Sequence, residues 1–211
     1  SSNHSRWNFN RLALALVIAP PTVGLFLAVL AASIPNDRIA DQLVEAMGND
    51  WLDVGNYPDG PITGLRVDRS GECVSLTIGL SEPESSAFSS AIRNPTLGDC
   101  SETEQRLIAY AESGTFESAS EYFRYWHGHA VVSRPLIALV GVDGTRMIAF
   151  GGLFLSLLGL AGSLQRAHGA RASVGLLLPL TLTAGVADQP LALQHSWSTI
   201  TILCSSWLIH E

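Results

Sequence analysis

Residues 12–34 read LALALVIAPPTVGLFLAVLAASI, 23 positions without one charged side chain. A helix needs about 20 apolar residues to cross the hydrocarbon core of a bilayer, so this run is long enough to span it. Pro20 and Pro21 lie mid-run, where a membrane helix tolerates a kink. Three further uncharged runs follow, at residues 147–164, 172–186 and 198–209, with 18, 15 and 12 positions. Alone, the last two would fit buried core helices; behind two longer runs they read as short membrane helices. The pattern predicts a mainly α, polytopic helical membrane protein of three or four spans. Composition agrees, since 47% hydrophobic and only 15% charged residues give less water-facing surface than a soluble domain needs.

Charge supplies the orientation. Residues 35–146 hold 8 Arg against 17 Asp plus Glu, a net charge of −9, while the whole chain carries −7. No lysine occurs, a bias that fits a GC-rich bacterial genome. Arg6 and Arg11 precede the first run, and Arg166, His168 and Arg171 separate the second from the third. Arginine-bearing short loops stay on the cytoplasmic side, which leaves the acidic segment outside. The organisation expected is then a cytoplasmic N-terminus (1–11), span 1 (12–34), an acidic extracytoplasmic domain (35–129), an interfacial half-helix (130–146) and span 2 (147–164). A cytoplasmic loop (165–171), span 3 (172–186), an outside loop (187–197) and an apolar segment (198–211) complete it. This is a multi-pass protein of a bacterial plasma membrane with its N-terminus in the cytoplasm. The bilayer is its first partner, and no nucleic acid is expected. A cleaved signal peptide is the competing reading of the first run, with small residues at Ala28–Ser33, but 23 positions are long for a signal core.

Three cysteines divide by environment. Cys204 lies in an apolar run and suits a small core residue. Cys73 and Cys100 both fall in the outside segment, where oxidising conditions permit a disulfide. The loop it would close is worth about 3 kcal/mol.

Within the outside segment, residues 36–47 (NDRIADQLVEAM) form a helix candidate with Asn36 or Asp37 as cap and Ile39, Leu43, Val44 and Met47 at helical spacing. Residues 74–80 (VSLTIGL) alternate and fit a short strand or a buried helix. Asp68, Arg69 and Glu72 read as a polar turn before them. Residues 102–112 form a second amphipathic helix through Leu107, Ile108 and Tyr110, and a further helix is expected over 115–126. The domain is therefore mixed and mostly helical.

The densest chemistry lies in residues 122–129, YFRYWHGH, just ahead of an apolar piece too short to span. Tyr125 and Trp126 suit the membrane interface, where one ring edge is apolar and the other hydrogen-bonds. The same cluster also fits a ligand site at the outer surface. Arg124 and Arg134 would bind phosphate, and His127 or His129 would exchange protons near neutrality. The His127/His129 pair suits a divalent metal only with acidic partners, so no cofactor is expected. Asp37, three residues past the first run, lies at headgroup depth and is the candidate general base; a cap or a solvated charge is the plainer role.

Residues 68–80 (DRSGECVSLTIGL), Asn94-Pro95 and residues 122–146 resemble a family of bacterial polytopic membrane proteins with no assigned activity. The matching positions are Arg124, Tyr125, Trp126, His127, Gly128, Arg134, Pro135 and Leu136; the chain departs at His129 and at Ser70-Gly71-Glu72. In layout the chain is also similar to membrane glycosyltransferases of the GT-C class. That resemblance implies a polyprenyl-phosphate-linked sugar as substrate in cell-envelope assembly, Asp37 as base, and arginines on the lipid phosphate. Those enzymes have eight or more spans, so the chain would be an N-terminal portion. The alternative is a non-enzymatic envelope protein whose extracytoplasmic domain binds a ligand or partner.

Overall fold

The computed structural model describes residues 18–49, 70–80, 85–114, 120–121, 128–183 and 193–210. The chain is mainly α. The described residues form eight helices: α1 (Ile18–Ala32), α2 (Asn36–Gly48), α3 (Ser70–Thr77), α4 (Ala87–Arg93), α5 (Cys100–Ser113), α6 (Gly128–His168), α7 (Ala170–Thr183) and α8 (Leu193–His210). Two short strands, β1 (Pro95–Thr96) and β2 (Ser120–Glu121), pair antiparallel with Pro95 opposite Glu121. The strand pair corrects part of the helix expected over 115–126; the remainder of that stretch lies outside the described residues.

The first apolar run ends at a bend. Ser33 turns its hydroxyl back onto the Leu30 carbonyl at 2.7 Å, and Pro35, which has no N–H to continue the ladder, starts α2 at 73° to α1. Neither expected cap performs that role: Pro35 is the N-cap and no side chain caps the helix. Asn36 and Asp37 are engaged by Arg134 and Tyr110 instead. The inward face of α2 is Ile39, Ala40, Leu43 and Ala46, all buried. Their i, i+4, i+7 spacing is the helical period legible in the sequence.

The alternating stretch at 74–80 resolves as the end of helix α3 (74–77) and the turn that follows it (78–80). Apart from half-buried Gly71 and Val74, residues 71–80 are buried whatever their polarity, so alternation carries no information about faces. The polar members of the stretch stay inside because the helix satisfies them: Ser75 donates to the Gly71 carbonyl at 2.6 Å, and Thr77 to the Cys73 carbonyl at 2.9 Å. Gly79, at φ +83°, then turns the chain. A disulfide joins Cys73 in α3 to Cys100 at the start of α5, with Cα atoms 5.0 Å apart. Leu76, Leu80, Leu97, Leu107 and Tyr110 pack around it with the inward face of α2. Ile108, expected on the buried face of α5, is exposed.

α6 is two arms. Gly141 adopts φ +75° and ψ −179°, a backbone state open to glycine alone, and breaks the helix there. A Cβ at this position would also stand 2.6 Å from the Gln42 amide oxygen of α2. The break falls within the expected half-helix, ahead of the boundary at 146/147. The first arm (residues 128–140) lies against the domain. The second (142–168) runs away from it for about 40 Å.

Gly169, at φ +84°, reverses the chain directly between α6 and α7, with Arg166, His168 and Arg171 exposed around it. The helices therefore run through most of the loop expected at 165–171. α8 starts at Leu193, inside the loop expected at 187–197. It lies parallel to the second arm of α6: Gly152 faces Ile200, the Ser156 hydroxyl lies 3.2 Å from the Cys204 sulfur, and Gly159 faces the Trp207 ring. α7 returns beside them, its Ser173 donating to the Ala161 carbonyl.

Leu153, Leu160, Leu164, Leu177 and Leu203 form the interior of this bundle, and Gly152, Ser156 and Gly159 let α8 approach α6 closely. Phe154, Leu155, Leu176 and Leu208 face outward, Leu208 with 71% of its surface exposed. An outer surface this apolar is compatible with contact to lipid. α6 is long and apolar enough to cross a membrane; α1 and α2 qualify as a second candidate only if taken together across their bend.

Candidate functional site

A cavity of about 470 Å³ opens between α1, α4 and the first arm of α6. One wall is the small-residue face of α1: Gly24, Ala28 and Ala31, one or two turns apart, with Pro20 and Pro21 below. Gly128, Ala130 and Val131 form the opposite wall. The polar lining comes from Ser90 and Asn94 of the α4 turn and from Arg134. Asn94 holds the turn open by taking φ +46°, the left-handed state that asparagine tolerates.

Arg134 is the hub of this region and only 3% exposed. Its Nε donates to the Ala31 carbonyl at 3.0 Å, Nη1 to the Ile78 carbonyl at 2.9 Å, and Nη2 to the Ile34 carbonyl and the Asn36 side-chain oxygen at 3.3 and 3.0 Å. The guanidinium thus closes the C-terminal end of α1, whose last carbonyls carry partial negative charge. It also holds α1, α2 and the turn after α3 to α6. All four acceptors are neutral groups. Among the described residues no carboxylate pairs with this buried cation.

Asp37 stands on the exposed face of the first turn of α2 and is not among the residues lining the cavity. Its carboxylate accepts a hydrogen bond from the Tyr110 hydroxyl of α5. Burial, that hydrogen bond and the charges of Asp37 and Asp41 push the Tyr110 hydroxyl up to about 12. The phenol therefore stays a donor throughout the neutral range and holds the carboxylate in place.

His129 is half-buried in the first turn of α6, between two cavity-lining residues. Arg124, Tyr125, Trp126 and His127 lie outside the described residues. Among the described residues no group of three or more His, Cys, Asp or Glu side chains is placed to hold a metal ion.

Two features escape sequence reasoning. Glu72, read as part of a polar turn, is fully buried and accepts from Arg146 Nη2 at 2.8 Å. That ion pair pins the second arm of α6 to α3, one residue from the disulfide. Asn36, a cap candidate in the sequence, instead accepts from Arg134, and Asn94 lines the cavity; neither role is visible in the local sequence.

No protein-family model, curated protein or solved structure matches the chain.

Proposed function

We propose that the chain is a multi-pass membrane protein that holds a disulfide-closed helical binding domain against the outer face of a bacterial plasma membrane. In this reading the first apolar run, the second arm of α6, α7 and α8 are the spans, and the turn carrying Arg166, His168 and Arg171 lies in the cytoplasm. The observation that carries it is the segregation of surfaces. Most charged groups of the described domain lie at its surface, as Asp37, Arg38, Asp41, Glu45 and Arg93 do, whereas the bundle presents large apolar side chains outward on every helix. Unpaired charge is costly to bury and exposed apolar surface of this extent is costly in water, so each half suits a different solvent.

The transferase reading requires Asp37 and an arginine to face one cavity. Arg134 lines the cavity and Asp37 does not, which favours binding over transfer among the described residues. Incubating the detergent-solubilised chain with a polyprenyl-phosphate sugar separates the two. The binding reading predicts no release of polyprenyl phosphate, from the natural chain or from Asp37→Asn. Release that disappears in Asp37→Asn would refute it. Alkaline carbonate should leave the chain in the membrane pellet, and its release into the supernatant would remove the membrane reading altogether.

A further inference from the structure

We propose that the cavity between α1, α4 and the first arm of α6 holds the hydrocarbon chain of an anionic outer-leaflet lipid, with the lipid headgroup beside Arg134. The inference deepens the binding function proposed above and rests on its membrane orientation.

Shape is the first argument. The lining runs along α1 from Pro20 to Ala32, about 18 Å at the helical rise. That is close to the thickness of one leaflet, half of a hydrocarbon core of about 30 Å. Apart from Ser90, Asn94 and Arg134, the lining side chains are prolines, glycines, alanines and aliphatic residues, which suit a hydrocarbon chain.

Polarity is the second. The groups that can meet a headgroup are gathered where α1 ends: Arg134 bonds the Ala31 carbonyl, and Asn94 and Ser90 lie in the adjoining α4 turn. With the N-terminus in the cytoplasm, this end of α1 is at the outer interface and Pro20 is near the midplane. Headgroup and tail would then sit at the depths where a bilayer places them.

Charge is the third. The guanidinium is buried among neutral acceptors only, and a buried cation is stabilised strongly by any anion that reaches it. Its four hydrogen bonds use four of five N–H donors, leaving one hydrogen on Nη1, the nitrogen nearest cavity-lining Gly79. A zwitterionic headgroup offers less net attraction than an anionic one, so the site should select by charge.

The test uses the full chain purified in mild detergent. It is titrated with phosphatidylglycerol and, separately, with phosphatidylcholine of identical acyl chains, and lipid retention is read by native mass spectrometry. The expected result is one saturable lipid, with phosphatidylglycerol held about tenfold more tightly, the size of one charge-assisted contact. Ala28→Phe fills the channel from α1 and should abolish retention of both lipids. Val131→Trp, from the opposite wall, should do the same if Ala28→Phe does not fold. Arg134→Gln should bring the two lipids to equal affinity. Equal binding by the natural chain, unsaturable binding, or unchanged binding in a folded cavity-filling variant would overturn the proposal while leaving the membrane reading intact. Release of the chain by alkaline carbonate would remove both.

Discussion

Replacing Glu72 alone should cost far more than replacing Glu72 and Arg146 together. The two side chains are 0% and 3% exposed and meet at 2.8 Å, so neither charge is screened by water. Two unit charges about 4 Å apart attract by about 4 kcal/mol at an effective dielectric of 20. Removing one partner from a buried pair costs about 3–5 kcal/mol, because the other charge stays buried without its counter-ion. Glu72→Gln and Arg146→Met should each lower the unfolding temperature by about 10 °C at 2–4 °C per kcal/mol. The double variant Glu72→Leu/Arg146→Met removes both desolvation costs and should return close to the natural value. Thermal unfolding of the full chain in detergent, followed by tryptophan fluorescence under non-reducing conditions, reads all of these. Single variants that lose under about 1 kcal/mol, or a double variant whose loss is the sum of the singles, would refute the reasoning.

Three other perturbations have defined outcomes. Reducing the disulfide, or Cys73→Ser with Cys100→Ser, opens a loop set by a sequence separation of 27 and should cost about 3 kcal/mol, read as a lower unfolding temperature. Gly141→Ala forces a side chain into a backbone state reserved for glycine and should cost about 2 kcal/mol in the same assay, even if the flexible Gln42 amide moves aside. Tyr110 ionises near 10 in the unfolded chain and about 12 in the folded one, so its contribution is complete below pH 10 and is lost as pH rises toward 12. Unfolding followed from pH 9 to 12 should show a decline that Tyr110→Phe makes shallower.

What was legible in the sequence had local causes. α2 and α5 announce themselves because one face of each is buried, and helical spacing records that asymmetry. α3 does not, since its polar Glu72, Ser75 and Thr77 are buried with its apolar residues, and Ser75 and Thr77 are satisfied by its own backbone. The disulfide was readable because only two cysteines share the acidic stretch between the first two apolar runs. The break at Gly141 was not, since the close approach that demands glycine comes from Gln42 on another helix. Arg134 was singled out as a candidate phosphate ligand, but its partners lie 56 to 103 residues away, so its role in closing α1 follows from tertiary structure alone. The same distance effect hid Glu72, whose counter-ion is 74 residues downstream.

The central claim is that the outward-facing apolar bundle lies in lipid, with the disulfide-closed domain on one side and the arginine-bearing turn on the other. Single cysteines introduced into a Cys204→Ser background test it in intact cells with a membrane-impermeant maleimide. Gln105→Cys on α5 should label from outside, Arg171→Cys only after permeabilisation, and Leu155→Cys, on the exposed flank of α6, only after denaturation. Labelling of Leu155→Cys in the native protein, or of Gln105→Cys and Arg171→Cys from the same side, would contradict it.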